Sequence, residues 1–193
     1  MMQRMRYALY YGNRYKNNLY QYLINSSLNC LSITDLTPDY FRSRQIKYIA
    51  LDFDGVLASH GETKPLAEVE AWLIKITQII PESHFALLSN KPFGERLQYF
   101  RENFPKIVIM SGVPKKPYPE GLNKLVEHFN CLKSELVLVD DRLLTGMLAV
   151  CLAGVQGVYV TKAYQNFKKR PIAESFFWLI RKIERRGIRW LEK

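Results

Sequence analysis

The residues best suited to chemistry lie in the run Leu51-Asp52-Phe53-Asp54-Gly55-Val56-Leu57, which closes an apolar segment beginning at Lys47. Read as the end of a strand in an open α/β sheet, the run sets two carboxylates two residues apart at the edge where such sheets place their ligands. A divalent cation there would hold Asp52 ionised and screen it from an approaching phosphate, leaving the carboxylate free to attack phosphorus. Asp54 could then protonate the leaving oxygen and later activate water. Taken alone, the pair could also be an N-terminal turn or an acidic surface patch.

Three further groups follow in order. Ser89 and Asn90 end the next apolar run, where a hydroxyl, a backbone N–H and amide donors could meet phosphoryl oxygens. Lys115-Lys116-Pro117 follows a third run, where an ammonium could neutralise both nucleophile and phosphate during transfer. Position alone does not choose between the two lysines. Asp140 and Asp141 end a fourth run, close to where a cation held between strand ends would need another carboxylate.

On these residues the chain resembles the haloacid dehalogenase-like phosphatases over residues 47–161. Asp52-Phe53-Asp54 looks like their first motif, Leu88-Ser89-Asn90 their second, Lys116-Pro117 their third and Val139-Asp140-Asp141-Arg142 their fourth. The resemblance implies a phosphoric monoester hydrolase with Mg2+ as cofactor and an aspartyl-phosphate intermediate. It implies Asp52, Asp54 and Lys116 as catalytic residues and Ser89, Asn90 and Lys116 as the phosphate site. Asp52, Asp54, Asp141 and Asp140 are the implied metal residues, and Lys116 is favoured because Lys-Pro is the family's usual form. Alignment puts Asp141 on the ligand position, with Asp140 free to orient the lysine or a metal-bound water. The second acid often found five residues later would fall at Gly146, a departure that weakens the outer support of the metal. A narrower resemblance, to the class IIIA branch that includes phosphatidylglycerophosphate phosphatases, rests on Leu36-Thr37-Pro38-Asp39-Tyr40 ahead of the first motif. Gly55-Val56 replaces the Asn-Thr common in that branch.

The elements that must position these residues follow from hydrophobic pattern. Lys47–Phe53, Phe85–Ser89, Lys106–Ser111, Leu136–Asp140 and Gly157–Thr161 are near-continuous apolar runs, as expected of parallel strands covered on both faces. Val69, Trp72, Leu73, Ile76 and Ile80 recur at helical spacing behind Pro65, a second helix is expected over Tyr118–Phe129, and a third near Leu143–Leu152 stops at Gly154. The fold expected is α/β, a three-layer Rossmann-like arrangement with a central parallel sheet. It is capless, because the intervals after Asp54 and between Ser89 and Lys116 are too short for an added domain.

The 193 residues suit one domain, and Cys30, Cys131 and Cys151 are odd in number and far apart, which suggests neither disulfides nor structural zinc. His60, His84 and His128 are equally scattered and read as ordinary structural or surface residues. No apolar run approaches the roughly 18 residues of a spanning helix, and no signal-peptide core is present, so a reducing, cytoplasmic setting is expected.

The net charge of +10 belongs to the ends: residues 1–30 carry +4 and residues 162–193 carry +7, leaving the middle at −1. Three segments are therefore expected: a basic aromatic helical segment at 1–30, the phosphatase core at 31–161, and a basic amphipathic helix at 162–193 packing on the core. Tyrosines interleaved with Arg and Lys near the start, and Phe176-Phe177-Trp178-Leu179-Ile180 beside Arg181–Arg189, fit an interfacial helix on anionic lipid. Simple packing with a solvated basic face is the bland alternative, and nucleic acid is the least favoured partner. Together with an open site, the ends point to a phosphorylated lipid substrate and a peripheral position on the inner face of a membrane. A soluble sugar phosphate, a nucleotide, a nucleic-acid end, or a non-catalytic binding module are the alternatives, and the oligomeric state is not legible.

Overall fold

A computed structural model describes residues 2–90 and 94–192. Its elements are, in order, α1 (Met2–Arg14), α2 (Lys16–Ile24), β1 (Asn29–Cys30), α3 (Pro38–Ser43), β2 (Tyr48–Leu51) and α4 (Ala67–Thr77). Then come β3 (Phe85–Leu87), α5 (Gly94–Asn103), β4 (Val108–Ile109), α6 (Glu120–Phe129), β5 (Leu136–Asp140), α7 (Leu148–Ala153), β6 (Gln156–Val160) and α8 (Pro171–Leu191). All six strands run parallel in the order β1-β6-β5-β2-β3-β4.

The strands form where apolar runs were expected: β5 coincides with its run, β6 is shifted by one residue, and β2, β3 and β4 are shorter because the ladder ends before the run does. In β2, Asp52 still donates its N–H to Val139 O at 3.0 Å, after which the chain turns through Gly55 at φ +89°, a conformation glycine tolerates best. Successive side chains point to opposite faces. Ile49, Leu51, Val137 and Val139 meet Val69, Leu73 and Phe100 from α4 and α5 on one face. Ala50, Leu136 and Leu138 meet Leu19, Tyr22, Leu122 and Leu125 from α2 and α6, with α7, on the other. Each large apolar side chain so buried contributes about 1.5–3 kcal/mol, and the result is the three-layer α/β sandwich expected.

The sequence reading missed β1, because a two-residue strand has no period to read. It pairs Asn29 with Tyr159 and Cys30 with Val160, at the edge of the sheet. With Leu19 and Tyr22 buried, the first thirty residues supply both core and sheet edge. The expected helix at Leu143–Leu152 also begins differently, as a π-helical turn over Leu143–Met147 that leads into α7 and stops at Gly154, φ +74°. No helix among the described residues is long and apolar enough to cross a membrane.

Candidate active site

The chain leaves β2 toward β3 and β4, then returns to lay β5 on the other side of β2, so the topological switch falls between β2 and β5. Crevices outside the C-terminal ends of the strands at such a switch are where open α/β sheets bind ligands. Register pairs Leu51 with Val139, which sets Asp52 beside Asp140 across that crevice. The loop before α6 brings Lys116 between them. Its Nζ donates to Asp52 Oδ1 at 2.8 Å, Asp140 Oδ2 at 2.5 Å and Leu88 O at 3.0 Å. Lys116 is buried while Lys115 is exposed at the cleft beside it, so of the two lysines the fold delivers Lys116 to Asp52.

Asp52, Asp140 and Asp141 each offer a ligand atom within 4.8 Å of the others, and all three are buried. That spread is close to the oxygen cage of one small cation. Asp140 Oδ1 accepts from Arg142 N at 2.9 Å, and Asp141 Oδ2 accepts from Arg181 Nε, whereas Asp141 Oδ1 is buried with no hydrogen-bond partner among the described residues. A buried oxygen without a partner in an acidic cluster fits a metal ligand. Burial raises the pKa of all three acids against the opposing pull of Lys116 and Arg181, and Asp52 is pushed up to about 6. For Lys116 burial works against the charge, but Asp140 and Asp52 outweigh it and hold the ammonium above the ordinary lysine range. Three acids and two bases leave the buried cluster one negative charge in excess when all are ionised, and a divalent cation suits that imbalance.

Asp54 stands apart from this group. Its carboxylate takes Arg96 at 3.0 and 3.3 Å and the Gly61 N–H at 3.2 Å. Arg96 is itself fully buried, 3.5 Å above the Phe53 ring, and donates to Glu62 O at 2.9 Å and Ser89 Oγ at 3.4 Å. The expected fourth metal carboxylate is thus committed elsewhere. Asn90 also does something unexpected: its Oδ1 accepts from Lys116 N at 2.8 Å, so the side chain first fixes the lysine loop. Ser89, Asn90, Lys115 and Lys116, with Met110 and Tyr118, line an adjoining cleft of about 210 Å³.

Gly146 has a steric reason. A Cβ there would stand 2.0 Å from Asp140 Cγ, so the absent acid leaves the space that Asp140 occupies in front of Lys116. Gly55 is similar, since a Cβ would fall 2.4 Å from Asp141 Oδ2 and 2.8 Å from Arg181 Nη2.

Sequence reasoning missed Arg96, Arg181 and Glu184. The last two project from the buried face of α8, where Glu184 accepts from Arg142 Nη2 at 2.5 Å and from Leu143 N at 3.1 Å. Further along the same face, Glu174 accepts from His60 N at 3.0 Å, and His60 stacks on Phe177 with centroids 3.7 Å apart. Their only signal was the i, i+3 spacing of Arg181 and Glu184, hidden in a basic run that reads as surface.

With aspartates and one lysine gathered at the switch point of its parallel sheet, and with the family match that follows, the chain is a haloacid dehalogenase-like phosphatase, a phosphoric monoester hydrolase. The family described as "Mitochondrial PGP phosphatase" matches residues 20–165, and the chain belongs to that family. No curated protein matches it. Among solved structures, an uncharacterized protein from Listeria monocytogenes serotype 4b is 16% identical with a TM-score of 0.49, covering 72% of this chain and 100% of that one. An uncharacterized protein from Corynebacterium glutamicum is 23% identical, TM-score 0.46, covering 66% and 91%. The cobalt-bound deoxy-D-mannose-octulosonate 8-phosphate phosphatase from Haemophilus influenzae is 14% identical, TM-score 0.42, covering 71% and 90%.

Proposed function

We propose that the chain is a Mg2+-dependent phosphatase that forms an aspartyl-phosphate on Asp52 and acts on a membrane lipid phosphate such as phosphatidylglycerophosphate. The observation that carries the chemistry is the buried bridge from Lys116 Nζ to Asp52 and Asp140 beside the orphaned Asp141 Oδ1. Asp52, Asp140 and Asp141 would hold the cation, which when bound screens the nucleophile from the phosphate dianion.

An Asp52 oxygen attacks phosphorus as the ester P–O bond breaks, and Asp54 gives the leaving oxygen its proton. Water then attacks the same phosphorus, returns a proton to Asp54, and frees Asp52 with release of phosphate. Lys116 neutralises charge throughout, and Ser89 and Asn90 bind phosphoryl oxygens. Asp54 serves only after exchanging its contact with Arg96 for the leaving oxygen. Among the described residues no added domain intervenes between Asp54 and α4, which leaves room for a bulky leaving group.

The lipid reading is supported by the outer face of α8. Ile172, Phe176, Leu179, Ile183 and Trp190 are exposed there, next to Lys182, Arg186 and Arg189. On α1, Met2, Met5, Leu9 and Tyr10 are exposed beside Arg6. Apolar side chains fringed by cations suit a peripheral site on anionic lipid.

The test is Mg2+-dependent phosphate release from phosphatidylglycerophosphate in mixed micelles, beside soluble phosphate esters, with Asp52→Asn as the blank. Lipid-selective release lost in the variant is expected. Preference for a soluble ester refutes the lipid substrate and keeps the chemistry; an active Asp52→Asn enzyme refutes the covalent scheme.

A further inference from the structure

We infer that Arg181 is a positioning residue for the divalent cation, holding Asp141 so that its second oxygen faces the ion; this rests on the cation reading above. The family match ends at residue 165, sixteen residues before Arg181, so the contribution comes from α8 and from outside the matched region. Among the described residues, Arg181 Nε is the single hydrogen-bond donor to the Asp141 side chain, and it takes Oδ2. Oδ1 is left buried and unpartnered in the three-carboxylate cluster. A carboxylate pinned through one oxygen, with the other turned to the cluster, is how outer hydrogen bonds orient metal ligands.

The surroundings are built for this contact. Arg181 is only 4% exposed, and among the described residues its Nη1 and Nη2 are buried without partners beside Gly55, whose lack of a side chain admits the guanidinium. Glu184, one turn later, fixes Arg142 and the Leu143 N–H, so the helix grips the chain on both sides of Asp141. Coulomb's law alone predicts that deleting a cation from this cluster tightens divalent binding. Weaker binding would therefore report orientation rather than charge, and this separates the two effects by sign.

The experiment measures Mn2+ binding to the full chain by calorimetry and by the loss of the free-ion paramagnetic resonance signal, so it needs no turnover. Arg181→Met is expected to weaken binding about 10- to 100-fold. Arg181→Lys, which keeps the charge and loses the planar fork, is expected to weaken it less. Arg185→Ala is the control for helix docking: Arg185 bonds Tyr159 Oη and Thr161 O and touches no acid of the cluster. It should leave the affinity unchanged. Unchanged or tighter binding in folded Arg181→Met overturns the inference, as does an equal loss in Arg185→Ala. Should Arg181→Met fail to fold, wild-type affinity in Arg181→Lys overturns it and a loss supports it. Asp141→Asn tests the cation reading separately, and a wild-type chain that binds no Mn2+ overturns both.

Discussion

Replacing Asp52, the proposed nucleophile, should stabilise the cation-free protein, and the effect should depend on pH in a defined direction. Asp52 is 8% exposed, and burial pushes its pKa up to about 6 even with Lys116 attached. Against an ordinary aspartate value near 3.9, two units correspond to roughly 3 kcal/mol. The sign follows from proton counting. Between about pH 4 and pH 6 the folded chain keeps a proton that the unfolded chain has released, so stability falls as pH rises through that window and levels off above it. The attraction of Lys116 is already contained in the shift, and Asn mimics the protonated acid. Asp52→Asn should therefore exceed wild type by about 3 kcal/mol at pH 8, roughly half that at pH 5, and little below pH 4. For a chain of this length the gap at pH 8 is about 6–12 °C in Tm. Thermal and urea unfolding in EDTA from pH 4 to pH 8 measures it, and Mg2+ should reverse the order by stabilising wild type more. Parallel curves for the two proteins across that range would refute the argument that burying an ionised Asp52 is costly.

Arg96→Met should cost about 3 kcal/mol, because it strands the Asp54 carboxylate in a partly buried site, and differential scanning calorimetry should show the lower Tm; an unchanged Tm would mean the pair carries no weight. Gly146→Ala should cost about 1–3 kcal/mol by overpacking, since its methyl would meet Asp140 Cγ at 2.0 Å. It should also weaken Mn2+ binding, and a variant as stable and as tight as wild type would deny the steric role of the glycine. Phe176→Ser with Ile183→Ser alters side chains 57% and 58% exposed, so Tm should hold within about 1 °C while co-sedimentation with anionic vesicles falls. Undiminished sedimentation would move the lipid contact elsewhere. Truncation of residues 1–30 is unsuited to the same question, because it removes buried Leu19 and Tyr22 and the edge strand β1.

The site was legible where chemistry sits at the ends of strands. A parallel strand buried on both faces must be a continuous apolar run, so the points where Leu51, Leu88 and Val139 give way to Asp52, Ser89 and Asp140 marked the active edge of the sheet. Position did not choose between Lys115 and Lys116, because neighbours in a loop differ only in how the backbone turns; the preference for Lys116 came from resemblance alone. The steric role of Gly146 was not legible for a related reason: a missing acid and a space kept for Asp140 look the same in one dimension. In α8 an interfacial apolar stripe was expected, but which side chains turn inward was not legible. Its sequence shows two faces, and an apolar stripe at helical spacing ordinarily turns inward. Here Glu174, Arg181 and Glu184 turn inward instead, while Phe176, Leu179 and Ile183 face out. Periodicity says that a helix has two faces; which of them is buried depends on what it meets. At this edge of the sheet α8 meets His60, Asp141 and Arg142, groups that charged side chains can pair and apolar ones would leave stranded. The chemistry at the strand ends therefore orients the helix, and an apolar stripe is turned outward as a consequence. The exposed apolar stripe and the contact with Asp141 are then two faces of one element, and a substitution on either face can be judged only with the other held fixed.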